Sequence, residues 1–255
     1  MVLVDIHSHL LPKVDDGSSS LDDSLKLAQA AVDDGITHAL LTPHHLNGVY
    51  INHKEDVVRM TSFFQGQLKE HQIPLTVFPG QEVRLNSQIP QAIDEGDIIT
   101  CDANGRYLLL ELPSEDVPAY TKRIIYEITG RGMVPIICHP ERNRKILEDP
   151  KVLEQLLEIG CLTQLTASSY VGVFGKEIEK LSERLVDAGQ VATFASDAHM
   201  LPKRESKMTA AYKKLAKKTD LNTVNNLKMN AQNIINGDEV NLDWRPIKKK
   251  RFWLF

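Results

Sequence analysis

The feature that most constrains this chain is the repetition of one unit: a short apolar run, a turn, then a stretch with apolar residues at helical spacing. Strand followed by helix, again and again, builds parallel βα units and excludes a sandwich. The apolar runs predict strands at 3–6, 38–42, 75–78, 107–112, 134–138, 162–166 and 192–195. Between them the spacing predicts helices at 21–34, 53–71, 118–131, 152–159 and 176–188, with Leu21, Leu25, Ala28 and Val32 as the apolar stripe of the first. Gly35, Gly132, Gly160 and Gly189 each follow such a helix, where a left-handed C-terminal residue is wanted. Two further helices, 203–218 and 221–235, end the pattern with no strand after them. Seven βα units predict an α/β fold, a closed or nearly closed parallel barrel. The alternative, a doubly wound open sheet, lacks a GxGxxG turn after its first strand.

At 255 residues, 42% hydrophobic and 25% charged, the chain can bury a sizeable core. No window approaches the ~18 apolar residues of a membrane span, and no basic leader with an apolar run precedes the first strand, so the expected compartment is the cytoplasm. Cys101, Cys138 and Cys161 are odd in number and widely spaced, which reads as reduced thiols. The net charge of -4 hides an asymmetry: the last eleven residues hold Arg245, Lys248, Lys249, Lys250 and Arg251 and no acid. The remaining body is acidic, which argues against nucleic acid as a partner. The chain thus divides into a body, 1–240, and a basic, aromatic tail, 241–255. The tail either tucks back onto the body or meets an anionic membrane surface or a partner, the latter placing the protein at the inner face of the membrane.

In a parallel barrel every βα loop opens on the C-terminal face, so chemistry gathers there. His7 and His9 leave the first strand on the same side, about 6 to 7 Å apart along the chain. Asp15 and Asp16 lie in the loop that follows. His44 and His45 come after the second strand, Glu82 after the third, Glu111 at the end of the fourth, His139 after the fifth, Asp197 and His199 after the seventh. Potential ligands from distant stretches therefore converge on one face. His45 either holds its neighbour in place or contacts substrate. His38 is read as a core or bottom-layer residue, His53 and His71 as solvated.

The convergent set comprises His7, His9, His44, His139 and His199 with Asp16, Glu82, Glu111 and Asp197. One ion takes four to six ligands, so this set suggests two or three ions with bridging carboxylates. Nitrogen and oxygen donors without thiolate suit Mn²⁺, Fe or Zn²⁺. Such ions lower the pKa of a shared water and neutralise phosphoryl oxygens, so metal-assisted phosphoester hydrolysis is the expected reaction. Arg142 and Arg204 are the expected phosphate contacts, and Arg144 is read as a surface ion pair. Cys138 to Arg144 also fits Cys-x5-Arg, the signature of thiolate phosphatases. Here the loop has Pro140, which lacks an N–H, and no glycine to let the backbone curl around phosphate, so Cys138 is read as inert.

Asp5-Ile6-His7-Ser8-His9 with Val14-Asp15-Asp16-Gly17, Thr42-Pro43-His44-His45, Gly80-Gln81-Glu82, His139-Pro140-Glu141-Arg142-Asn143 and Ser196-Asp197-Ala198-His199 together resemble the polymerase-and-histidinol-phosphatase (PHP) superfamily. Within it the chain is similar to the manganese-dependent protein-tyrosine phosphatases that accompany capsule and exopolysaccharide gene clusters. The resemblance spans roughly residues 3 to 204. It implies a distorted TIM-like (β/α)7 barrel with up to three ions, Mn²⁺ foremost. His7, His9, Glu82 and Asp197 would hold one ion, Glu82, Glu111 and His139 a second, and Asp16, His44 and His199 a third, with Arg142 and Arg204 on the phosphate. The implied substrate is phosphotyrosine on a cognate bacterial tyrosine kinase. Within the enzyme class the rival is a small-molecule phosphatase such as histidinol phosphatase. A non-catalytic binding module is the rival of another class. A nuclease is disfavoured by the acidic body.

Overall fold

The computed structural model describes residues 2–247. Among these residues nine strands, all parallel, form two sheets. The strands are β1 (Val4–Ser8), β2 (His38–Leu41), β3 (His44–His45), β4 (Thr76–Pro79), β5 (Glu82–Arg84), β6 (Tyr107–Glu111), β7 (Val134–Cys138), β8 (Leu162–Thr166) and β9 (Thr193–Ala195). Sheet order is β1-β2-β4 in one and β3-β5-β6-β7-β8-β9 in the other. The seven expected strand positions are present, but the second and third are each broken in two. Thr42-Pro43 interrupts the second, because Pro43 has no N–H to give a ladder. Gly80-Gln81 interrupts the third, where a Cβ on Gly80 would meet Thr42 Cγ2 at 3.0 Å. Below the breaks Leu41 pairs with Pro79; above them His44 pairs with Glu82.

The circuit closes between its ends. Ser8 bridges Ala198 in parallel, His9 N–H donates to Ala198 O (2.9 Å) and Asp197 N–H to His7 O (2.9 Å). Running from Asp5 to Ser8 takes three steps on β1 but only two on β2, a β-bulge just before the His7–His9 pair. Strands β1, β6, β7 and β8 are buried nearly throughout, as expected of a parallel sheet covered on both faces.

Helices cover the outside, and their ends follow capping chemistry. Ser20 accepts from Asp23 N–H (3.1 Å) to start helix Leu21–Asp33. Asp220 does the same for Thr223 N–H (2.8 Å) in helix Leu221–Asn236. The predicted helix from 203 begins instead at Met208, because residues 200–204 form a turn. In that turn Arg204 N–H donates to Met200 O and His199 N–H to Arg204 O. Short helices Ile89–Asp94, Arg144–Glu148 and Ala167–Tyr170 went unpredicted.

Strands from opposite sides of the circuit contribute Val4, Ile6, Leu109, Ile136 and Leu162 to one apolar cluster, which therefore fills the interior; Ala231, Ile234 and Val240 belong to the same cluster. Residues 241–247 run along the body. Leu242, Trp244 and Ile247 pack on the core, Arg245 N–H donates to Ala188 O (2.9 Å) and Ile247 N–H to Glu154 Oε1 (2.6 Å). The basic and aromatic run expected to tuck back or to meet a membrane, 248–255, lies outside the described residues.

Candidate metal centre

The predicted ligands meet at the C-terminal mouth of the strands, around a cavity of about 270 Å³ walled by Asp16, His44, Glu82, Glu111, His139 and Asp197 among others. At its edge four atoms face one another. His7 Nε2 and His9 Nε2 are 3.1 Å apart, and each lies 3.3 Å from Glu82 Oε2 and 3.5 Å from Asp197 Oδ1. Four donors placed tetrahedrally at about 2.0–2.1 Å from an ion are separated by roughly 3.4 Å, so this nest has the dimensions of a coordination sphere.

Glu82 links that nest to the rest. Its Oε2 is 2.8 Å from His44 Nδ1 and its Oε1 is 2.8 Å from His139 Nε2. Glu111 Oε2 lies 3.8 Å from His44 Nδ1, while Arg84 Nη1 holds Glu111 Oε1 at 2.7 Å. On the outer side Asp16 Oδ1 is 3.3 Å from His44 Nε2 and 3.5 Å from His199 Nε2, and His9 shares that group. Glu111 thus groups with His44 and Glu82, whereas His139 groups with His7, Glu82 and Cys138. Several residues belong to two groups, the arrangement that closely spaced ions require.

The fit to metal rests on what these atoms lack. His44 Nδ1, Glu82 Oε2, Glu111 Oε2 and His199 Nε2 are buried without a hydrogen-bond partner, even where a neighbour is near. Each such orphan costs about 1–3 kcal/mol unless something pairs with it. The charges agree. Burial disfavours protonation of His44, but Asp16, Glu82 and Glu111 outweigh it and lift its pKa to about 11; Asp15 and Glu82 likewise lift buried His9 to about 9. A cleft whose carboxylates pull protons onto imidazole is one that a divalent cation would occupy in their stead. His139 runs the other way: burial, then the Arg142 cation, push it down to about 4, leaving a neutral imidazole able to donate a lone pair.

The histidines are held from behind. Asp15 Oδ2 takes His9 Nδ1 (2.7 Å) and also accepts from His44 N–H (3.2 Å). Gln164 Oε1 takes His7 Nδ1 (2.8 Å), and Asp197 O takes His199 Nδ1 (3.0 Å). In each case Nε2 is left for the pocket. Gly17 is required here, since a Cβ would fall 2.4 Å from His9 O. Sequence reasoning passed over Gln164 and Arg84, and it placed Asp15 in the first βα loop without giving it a role. Gln164, a lone amide in a Leu-Thr run that reads as a buried strand, is the one that left a signal.

Two of the candidate ligands sit on bent backbone: His139 has φ 33° and Asp197 φ 49°, left-handed conformations costing non-glycine residues on the order of 1 kcal/mol or more. Arg142 Nη2 (2.6 Å) and Arg204 Nη2 (2.9 Å) converge on the same oxygen, Asp197 Oδ2. Burial would raise the Asp197 carboxyl, but Arg142, His199, His7 and Arg204 hold it well below its usual range. Arg144 pairs with Glu115 and Glu148 at the surface. His45 is buried, pointing toward Asp97 (3.8 Å) and not into the pocket. Cys138 adjoins the pocket, yet burial, then Glu82 and Glu111, drive its pKa far up, so it stays a thiol.

Fold and site together define a distorted TIM-like barrel with a candidate multinuclear metal centre. The fold is shared more widely: a β-aspartyl dipeptidase from Fervidobacterium islandicum superposes with TM-score 0.51 at 15% identity over 93% of this chain and 74% of that one, which speaks to fold alone. The particular family is sharper. Residues 3–236 match the family described as capsular polysaccharide synthesis, CpsB/CapC, and the chain belongs to it. It is 40% identical over 202 residues to the tyrosine-protein phosphatase YwqE of Bacillus subtilis, covering 79% of each chain. Over 221 residues it is 26% identical to the tyrosine-protein phosphatase CpsB of Streptococcus pneumoniae, covering 85% of this chain and 90% of that one. A solved structure from a study of YwqE and CpsB, described as unique metal-dependent tyrosine phosphatases, superposes with TM-score 0.92 at 36% identity over 97% of this chain and 100% of that one.

Proposed function

We propose that this chain is a metal-dependent protein-tyrosine phosphatase whose substrate is phosphotyrosine on a bacterial tyrosine kinase governing capsular or exopolysaccharide synthesis. One observation carries the reading: two guanidinium groups, Arg142 and Arg204, converge on Asp197 beside a four-atom nest of coordination-sphere size. His7, His9, Glu82 and Asp197 would hold one ion, with Glu111, His139, Asp16, His44 and His199 completing the set for others. Mn²⁺, Fe or Zn²⁺ there would supply Lewis acidity, making water nucleophilic near neutrality and neutralising phosphoryl oxygens.

The chain's own part is positioning. Arg142 and Arg204 each keep a buried Nε with no partner, and these donors serve phosphoryl oxygens in the cavity. Gln164 and Asp15 fix which imidazole nitrogen faces inward. No nucleophilic side chain is needed, and buried Cys138 offers none. The relatives support the substrate class, because YwqE and CpsB are tyrosine-protein phosphatases and the family is one of capsular polysaccharide synthesis.

Metal analysis of the purified protein, coupled to turnover of a phosphotyrosyl kinase tail and of histidinol phosphate, tests this. Bound transition metal, preference for the phosphotyrosyl tail and loss of turnover in His139→Ala are expected. Preference for histidinol phosphate would make it a small-molecule phosphatase, and metal retention without turnover a binding module. No helix among the described residues is long and apolar enough to cross a membrane. We place the enzyme in the cytoplasm, brought to the membrane's inner face by residues 248–255. Deleting them then weakens liposome and kinase binding while sparing hydrolysis of a small chromogenic ester.

A further inference from the structure

Above the cavity, the βα loops present apolar side chains that packing leaves unused. Val49 is 78% exposed and Ile51 59%; Val173, Met200 and Leu201 are exposed as well. Two rings stand half-buried among them. Tyr50 lies nearly parallel to His44, with centroids 6.3 Å apart and planes 11° from one another. Phe174 faces the Arg142 guanidinium, whose Cζ is 5.5 Å from its centroid. Each ring rests on a side chain that walls the cavity. In the strand circuit Tyr50 follows the second position and Phe174 the sixth of seven, which sets them across the mouth from each other.

The loop bearing Tyr50 is firmly held. Asn47 Oδ1 accepts from Val49 N–H (2.9 Å) and Tyr50 N–H (2.7 Å). Asn52 Nδ2 donates to His44 O (2.7 Å) and Val14 O (3.1 Å), and Asn86 Nδ2 to Leu46 O (2.8 Å). So many bonds keep exposed apolar groups at fixed positions over a charged pocket, an arrangement that suits a ligand with an apolar body and an anionic end.

We propose that Tyr50 and Phe174 form an aryl clamp: they determine specificity by taking the phenyl ring of phosphotyrosine between them while its phosphate reaches Arg142 and Arg204. The inference deepens the phosphatase reading and rests on it. A phosphoserine placing its phosphate in the same cavity brings only an alkyl chain to the mouth and leaves both rings without a partner. Discrimination then comes from ring contacts at the mouth, and the phosphate site below does not distinguish the two.

Calorimetric titration of the Mn²⁺-loaded full chain with phenylphosphonate and methylphosphonate tests the clamp. Tyr50→Ala and Phe174→Ala should each weaken phenylphosphonate about tenfold and methylphosphonate less than about twofold, whereas Tyr50→Phe, which keeps its ring, should bind both as the unmodified chain does. Equal weakening of the two phosphonates, no weakening of either, or no preference for phenylphosphonate in the unmodified chain overturns the clamp. Hydrolysis of a phosphotyrosine peptide is followed in parallel. Ring-dependent binding without hydrolysis would sink the phosphatase reading and leave the clamp standing.

Discussion

The two ends of the strand circuit use the same residue types to opposite effect. At the N-terminal end, buried polar side chains such as Tyr107 and Asp102 find donors and acceptors in their own chain. Tyr107 Oη donates to Asp238 O (2.6 Å) and accepts from Val240 N–H (3.1 Å). The Asp102 carboxylate accepts from the N–H groups of Asn104, Arg106 and Tyr107, and Asp34 from those of Met208 and Thr209. At the C-terminal end carboxylates and imidazoles face one another across a few ångströms, four of their atoms orphaned and two of their backbones left-handed. A sealed end supplies stability to an end whose groups are arranged for something that is not protein.

Substitutions at the two ends should therefore separate function from stability. The largest effect is expected for Glu82→Ala, since Glu82 lies within 3.3 Å of His7, His9, His44 and His139. If several kcal/mol of transition-state stabilisation depend on it, kcat falls on the order of 10³-fold, with a matching drop in metal per chain by elemental analysis. Retention of both would show that the mouth is not a metal centre.

Glu111→Gln should lose on the order of 10²-fold in kcat. Burial, then the neighbouring Glu82, hold the Glu111 carboxyl above its usual range. A carboxyl raised on folding supports the fold below its unfolded pKa, and that support is lost as pH rises through the folded value. The metal-free variant should thus melt above the metal-free parent at pH 7 and lose the advantage in acid below about pH 4. A lower melting temperature at pH 7 would break the contrast between the ends.

At the sealed end, Tyr107→Phe strands Val240 N–H and Asp238 O. It should cost about 1–3 kcal/mol in denaturant unfolding while kcat stays unchanged. Smallest is Cys138→Ser, which should leave most activity in place; complete loss would revive a thiolate mechanism.

The βα alternation made the seven strand positions legible, and placing His, Asp and Glu at their C-terminal ends made the pocket legible with them. The breaks in the second and third strands were not, although Pro43 and Gly80 stand in the sequence, because a break shows only against the register of a neighbour. Short helices such as Arg144–Glu148 have too few turns for apolar spacing to register. Arg204, expected near the pocket by motif, lines the cavity, but in a turn and not in the predicted helix, since the turn at 200–204 depends on backbone pairing with His199. The roles of Asp15 and Gln164 depend on which imidazole nitrogen faces which partner, and Gln164 lies 157 positions from His7. Such pairings belong to the assembled barrel and to no local pattern.

The closure of Ser8 against Ala198 has a consequence for biosynthesis. His7 and His9 leave the ribosome with the first strand of the circuit, long before Asp197 and His199, which follow the last strand. A nascent or truncated chain cannot assemble the complete nest, so capture of ions there marks a polypeptide whose first and last strands have already met.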